Sequence, residues 1–314
     1  MAGNAEQHGS VTTIRVLSDS GQVTRAFLTS DVHIDSVSCN RKWFQDDCER
    51  AMSLGAGIFL FGDTFDAMQG RFDPRRSMDE LRPEYRRPDY YDYIVQDVAR
   101  ILSPFVKGIV LITPGNHETA TLKNANTFLS DRLVATLNTQ YGGHVLHGAY
   151  GGWVRWMFEH TAGGCRTSVK LKYHHGFGGE APVTKGVIQT ARQAVYLPDA
   201  DVVVNGHSHN SYVVPIARER LSDSGRVYAD NQLHLRTPGY KQEYGDGSYG
   251  WSVERGSPPK SIGGAMLEMT YRRVKKGVFI ETQAYPIIHA AEPIPLSPMP
   301  ISAVEYPQDN GIVL

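Results

Sequence analysis

Four short apolar runs constrain this chain most: AFLTS ending at Ser30, AGIFLF at 56–61, GIVLIT at 108–113 and DVVVN at 201–205. A run this short and this apolar offers water no polar face. It reads as a strand buried on both sides, in a sheet covered by helices. Between the runs lie stretches with helical spacing, at 41–54 through Trp43, Phe44, Cys48 and Met52, at 90–106, at 118–138 and near 184–195. Residues 166–173 alternate like a strand, and beyond 210 the pattern is mostly β, with turns at 222–225 and 275–277. Strands alternating with helices give the α/β class.

The polar residues fall with a regularity that strands alone do not need. AFLTS runs into Asp31, IFLF into Asp63, VLIT into Asn116 and VVVN into His207. In α/β sheets the crevice at the carboxyl ends of the strands is where sites are built. The length, 314 residues, suits one large domain, placed at 21–292, with an insertion at 67–92 and a β-rich part at 210–292. Residues 1–20 are expected to be partly disordered, and 293–314 to form an irregular Pro-rich tail. Cys39, Cys48 and Cys165 are too few and too scattered for a disulfide framework or a Cys-based metal site. The N-terminus lacks the basic and apolar segments of a signal peptide, and no stretch approaches the roughly 20 apolar residues of a membrane span. The expectation is a cytoplasmic protein with no membrane partner.

Five motifs carry the chemistry: Asp31-Val32-His33, Gly62-Asp63-Thr64-Phe65-Asp66, Gly115-Asn116-His117-Glu118, His174-His175-Gly176 and Gly206-His207-Ser208-His209. Each alone is weak, since a polar turn after a strand is common and Asn is a frequent helix cap. In this order, each after a strand, they resemble the calcineurin-like metallophosphoesterase superfamily over residues 31–209. The resemblance implies an α/β sandwich of two mixed β-sheets flanked by helices. It implies two divalent metal ions, one held by Asp31, His33 and His209, the other by Asn116, His207 and one of His174 and His175, with Asp63 bridging both. His174 follows the strand directly and is favoured as the ligand; His175 would then face the substrate phosphate. Carboxylate, imidazole and amide together suit Mn, Fe or Zn better than Ca or Mg, and Mn is placed first.

The activity implied is hydrolysis of phosphoester bonds by a hydroxide that bridges the metals. Asp63 and His117 are the catalytic candidates, His117 as general acid or transition-state stabiliser outside the metal shell, with Asp66 and Glu118 behind the ligands. His8, His144, His147, His160, His234 and His289 have no motif around them. Lys and Arg number 32 against 33 Asp and Glu, so positive charge for a phosphate must be brought locally.

For the substrate, Ser/Thr protein phosphatases look like G-D-x-V-D-R-G and R-G-N-H-E. Here GDTFDAM and PGNHE lack both arginines. The form is more similar to the nuclease and phosphodiesterase branches, including SbcD-like nucleases, so DNA or a nucleotide becomes the expected partner. A phosphomonoesterase is the alternative, and a non-catalytic scaffold the third reading, although scaffolds typically lose ligands. The stretch 70–92 interleaves Arg71, Arg75, Arg76, Arg82, Arg86 and Arg87 with Tyr85, Tyr90 and Tyr91, but acidic residues balance it, which favours a salt-bridged insertion. Arg236, Tyr240 and Lys241 are candidate substrate contacts, or else a β-hairpin surface.

Overall fold

The apolar runs become the inner strands of two facing sheets. The computed structural model describes residues 4–67, 78, 80–164, 166–178, 184, 186–222, 224–244, 251–275 and 277–290. In chain order the elements are β1 (Ala5–His8), β2 (Val11–Ser18), β3 (Val23–Thr29), α1 (Arg41–Ser53), β4 (Gly57–Phe61), α2 (Tyr90–Leu102), β5 (Ile109–Thr113), α3 (Asn116–Ala125), α4 (Leu129–Tyr141), β6 (Leu146–His147), β7 (Gly151–His160), β8 (Arg166–His174), α5 (Val187–Tyr196), β9 (Val202–Asn205), β10 (Tyr212–Leu221), β11 (Val227–Arg236), α6 (Trp251–Glu254), β12 (Ile262–Val274) and β13 (Gly277–His289).

One sheet has the order β13-β12-β3-β4-β5-β6 and the other β1-β2-β7-β8-β9-β11-β10. Both are mixed. β3, β4, β5 and β6 run parallel beside the antiparallel β12–β13 hairpin, and β8, β9 and β11 run parallel beside antiparallel neighbours. The inner strands are apolar throughout because they serve two cores. Ala26, Leu28, Phe59 and Phe61 point between the sheets, where they meet Val154, Trp156, Leu171, Tyr173, Val202 and Val204. Phe27, Ile58 and Leu60 point the other way, against Phe44 and Cys48 of α1, Val98 and Leu102 of α2, and Leu133 and Leu137 of α4. Ring pairs stitch the sheets together, Phe61 on Tyr173 at 4.9 Å and Phe59 on Trp156 at 5.6 Å between centroids. Each such side chain contributes about 1.5–3 kcal/mol by leaving water.

The chain departs from the sequence reading in two places here. Residues 5–18 form β1 and β2, which pair with each other, and β2 continues the sheet by running parallel to β7. Their polar composition reflects an edge with one wet face. The single helical stretch read at 118–138 is two helices, because Asn126 ends α3 in a left-handed cap at φ 55°. In the 67–92 stretch, Arg71, Arg75 and Arg76 lie outside the described residues. In the described part Arg82 donates to the carbonyls of Ser36 (2.9 Å) and Cys39 (2.6 Å), and Tyr85 and Tyr90 are buried, whereas Arg86 and Arg87 stay exposed. Cys165 and the tail at 293–314 also lie outside the described residues. Among the described residues, no helix is long and apolar enough to cross a membrane.

For the site, what counts is which strand ends meet. β3, β4 and β5 are parallel neighbours, so Asp31, Asp63 and Asn116 leave the same edge of one sheet. β8 and β9 are parallel neighbours in the other sheet and deliver His175 and His207.

Candidate metal centre

Each strand hands over to its motif through an unusual turn. Among the described residues, seven non-glycine residues have positive φ, and five belong to the motifs: Asp31 (54°), His33 (49°), Asp63 (51°), His207 (71°) and His209 (55°). Such conformations cost on the order of 1–3 kcal/mol each and persist only where the surroundings hold them. Here the loops hold one another. The N–H groups of Asp31, His33 and Ile34 donate to the carbonyls of Gly62, Asp63 and Thr64, all at 3.0 Å, and the Tyr240 N–H donates to Asp31 O at 3.0 Å. Gly62, at φ 92°, leaves no room for a side chain. A Cβ there would sit 2.5 Å from His175 Nδ1 and 2.8 Å from Gly115 Cα.

Two buried carboxylates fasten the loops from behind. Glu118 accepts the N–H groups of Asp63 (3.1 Å) and Gly115 (2.8 Å) on Oε2 and that of Phe65 (3.1 Å) on Oε1. Asp35 accepts the N–H groups of Asp66 (2.6 Å) and Ala67 (2.9 Å) and the hydroxyl of Tyr90 (2.5 Å). The sequence reading missed Asp35. The signal was there, since Asp31-Val32-His33-Ile34-Asp35 repeats its polar residues at every second position.

In front of these anchors the motif side chains converge. His175 Nε2 lies 3.1 Å from Asp63 Oδ2, 3.1 Å from Asn116 Oδ1 and 3.9 Å from Asp31 Oδ1. His207 Nδ1 lies 2.8 Å from Asn116 Oδ1, and the His207 N–H donates to Asp31 Oδ2 at 2.9 Å. His209 Nε2 is 3.3 Å from Asp31 Oδ1, and His33 Nε2 is 4.0 Å from Asp63 Oδ2. Ligand atoms lie within 4.8 Å of one another in three groups: Asp31, His33 and His209; His33, Asp63 and His117; and Asp63, His175 and His207. These groups could hold metal ions. Asp31 Oδ1 and His33 Nε2 are buried with no hydrogen-bond partner among the described residues, as a ligand set requires.

Electrostatics agree with a site shaped for positive charge. Burial alone would push His175 down, but Asp63 and Asp31 outweigh it and hold the imidazole at about 10. Burial lowers His33 to about 4, so that ring is neutral, whereas at His175 a cation would take the place of the proton. Burial would raise Asp31, yet His209 and His175 bring it well below the usual carboxylate range.

His117 places its N–H on Asp63 Oδ1 at 2.9 Å and its Nδ1 against the carbonyl of Asp66. A carbonyl only accepts, so Nδ1 carries the proton and Nε2 is left facing Asp63 Oδ2 at 3.8 Å. The choice between His174 and His175 falls opposite to the expectation. Leu171, Tyr173 and His175 share the buried face of the strand and its extension, whereas His174 is half-buried against Tyr150 and Phe177. Parity along the strand, not nearness to its end, decides which ring enters the cluster.

The three expected substrate contacts are occupied elsewhere. Arg236 is buried and donates from Nη1 to Gly206 O (3.1 Å) and Ser208 Oγ (3.2 Å), gripping the loop that carries His207. Tyr240 is fully buried, its hydroxyl on Asp47 Oδ2 at 2.7 Å. Lys241 is paired to Asp66, Glu80 and Glu243. The motif-free histidines lie outside the cluster, for example His289 on Asp47 and His147 beside Ser130.

No protein-family model matches the sequence, and no curated protein matches it. Solved structures that resemble the fold include a conserved uncharacterized protein, predicted phosphoesterase, from Streptococcus pneumoniae. It shows 12% identity and TM-score 0.31 over 83% of this chain and 99% of that one. Vacuolar Protein Sorting 29 from Cryptosporidium parvum shows 12% identity and TM-score 0.34 over 86% of this chain and 100% of that one. GAP50, the anchor in the inner membrane complex of Plasmodium, shows 11% identity and TM-score 0.36 over 86% and 90%. At these scores the likeness carries no argument about what this chain does.

Proposed function

We propose that this protein hydrolyses phosphoester bonds with two divalent cations, as a phosphodiesterase acting on DNA or a nucleotide. The observation that carries the reading is the convergence of the three ligand groups, two of which share Asp63 and two of which share His33. Asp31, His33 and His209 would hold one cation, and Asn116, His175 and His207 the other, with Asp63 common to both. Mn is the first choice, with Fe or Zn as alternatives, because imidazoles are mixed with oxygen donors. When bound, the pair supplies Lewis acidity that activates water and offsets charge on the phosphoryl oxygens.

The chain's own residues supply the rest. Asp63 is held by Glu118 and His117 so that Oδ2 faces the rings of His33 and His175. His117 keeps a proton on Nδ1 through Asp66 O, and its side chain is 11% exposed, so a proton taken up from solvent on Nε2 makes the ring an imidazolium, and Nε2 is then the atom that gives this proton to a leaving oxygen. The diester class rests on the Gly62-Asp63-Thr64-Phe65-Asp66 form, which lacks the arginine of the phosphatase motif.

The test is an activity panel of bis(p-nitrophenyl) phosphate, single-stranded DNA, cyclic nucleotides and p-nitrophenyl phosphate, run with Mn, Fe or Zn on wild type and Asp63→Asn. Diester cleavage abolished by Asp63→Asn is the expected result. Hydrolysis of monoesters alone would replace the diesterase with a phosphomonoesterase. A wild-type protein that takes up no metal on reconstitution would leave only a scaffold.

A further inference from the structure

Lys241 is an unusual residue to find behind such a site. Its side chain is only 9% exposed, and Nζ faces three carboxylates, Asp66 Oδ1 at 3.4 Å, Glu80 Oε2 at 3.6 Å and Glu243 Oε1 at 3.9 Å. Burial would favour the neutral amine, but these carboxylates outweigh it and keep the ammonium charged. The backbone around it is fixed on both sides. Tyr240 N–H bonds Asp31 O, Gln242 N–H bonds Ser38 O at 2.7 Å, and Lys241 itself bridges Cys39. The segment therefore runs along the loop that carries Asp31 and His33.

The oxygen of Asp66 that faces Lys241 is the same one that faces His33 Nδ1, at 2.8 Å. A carboxylate between an ammonium and an imidazole has its charge and rotamer fixed by the ammonium. It then selects the ring tautomer with the proton on Nδ1, which leaves the Nε2 lone pair bare. Both ring nitrogens of His33 are buried with no protein hydrogen bond of full geometry among the described residues, but Nδ1 has Asp66 Oδ1 at 2.8 Å, whereas Nε2 points toward Asp63 and, through the shared group, Asp31 and His209.

From this chain of contacts we infer that Lys241 is a positioning residue: through Asp66 it aims His33 Nε2 at the cation of the Asp31–His33–His209 group, and it acts on that one of the two cation positions. The inference rests on the dinuclear reading above. Among the described residues Lys241 forms no direct ion pair with His175 or His207, which reach their places from the opposite sheet and are separated from Lys241 by Asp66, His33 and Asp63. Glu80 and Glu243 belong to the same device. Without them a cation this close would repel the metal rather than serve it.

Two measurements test the inference. In metal-free protein labelled with 15N at histidine, long-range 1H–15N spectra should show His33 with its proton on Nδ1. A wild-type His33 protonated on Nε2 overturns the inference without any variant. Titration calorimetry with Mn on the full chain should show two binding steps. Lys241→Met should weaken one of them by about 10–100-fold, the range for residues that orient a metal ligand, and leave the other unchanged. Lys241→Arg, which keeps the charge and tolerates the same cage, should restore most of the lost affinity. Should Lys241→Met fail to fold, the Lys241→Arg titration and the wild-type tautomer still decide the matter. Two steps unchanged in Lys241→Met, or both weakened alike, overturn the role of Lys241 alone. A wild type that binds no Mn overturns the dinuclear reading and this inference with it.

Discussion

Glu118 is where the construction of the site can be weighed most directly. Its carboxylate is fully buried and accepts three backbone donors, from Asp63, Phe65 and Gly115. A buried donor left without an acceptor costs about 1–3 kcal/mol, so Glu118→Ala should lose about 3–9 kcal/mol. That is comparable to the whole stability of a typical domain, about 5–15 kcal/mol. Glu118→Gln provides a finer step. Its amide oxygen can take the place of Oε2, which serves Asp63 and Gly115, while its amide nitrogen meets the Phe65 N–H. One donor is then unserved, and the loss falls to about 1–3 kcal/mol. Part of that loss is offset, because after burial itself the neighbouring Asp63 charge is what pushes Glu118 up to about 7, and glutamine removes the repulsion. Urea unfolding followed by far-UV circular dichroism on metal-free protein measures both variants without a contribution from ligand binding. An alanine variant within about 0.5 kcal/mol of wild type, the range of ordinary surface changes, would refute the argument. So would a glutamine variant as damaging as alanine.

The two adjacent histidines should behave oppositely. His175→Ala should reduce cation affinity by at least about 100-fold, the upper end of what outer residues alone contribute, whereas His174→Ala should keep full metal content; emission spectroscopy after dialysis reads both. Tyr240→Phe should cost about 1–3 kcal/mol in the same urea assay, since Asp47 loses a donor but keeps His289 at 2.9 Å. Its KM for bis(p-nitrophenyl) phosphate should not move, and a KM change at unchanged stability would return Tyr240 to the substrate surface.

What the sequence made legible follows from which interactions are local. The inner strands could be read because a residue run buried on both faces has only one kind of composition, as Ile58, Phe59, Leu60 and Phe61 illustrate. The motif residues could be read because they directly follow those strands. The N-terminal strands could not be, since β1 and β2 are half wet and gain their place by pairing with β7, well over a hundred residues away. The split between α3 and α4 turned on the left-handed cap at Asn126, one residue in an otherwise helical stretch. Arg236, Tyr240 and Lys241 were misjudged for a related reason. They have the chemistry of phosphate and base contacts, but their partners Gly206, Asp47 and Asp66 are brought to them by tertiary structure alone.

The left-handed turns at Asp31, His33, Asp63, His207 and His209 restrict what evolution or engineering can write there. Besides glycine, the residues that tolerate such backbone most readily are Asn, Asp and His. Two of these three are the side chains already in use, and all three can coordinate a cation. Exchanges within this small alphabet, such as Asp63→Asn, would alter or remove the chemistry of the centre while leaving its frame intact. Valine or isoleucine at the same positions would break the frame before any question of chemistry arose.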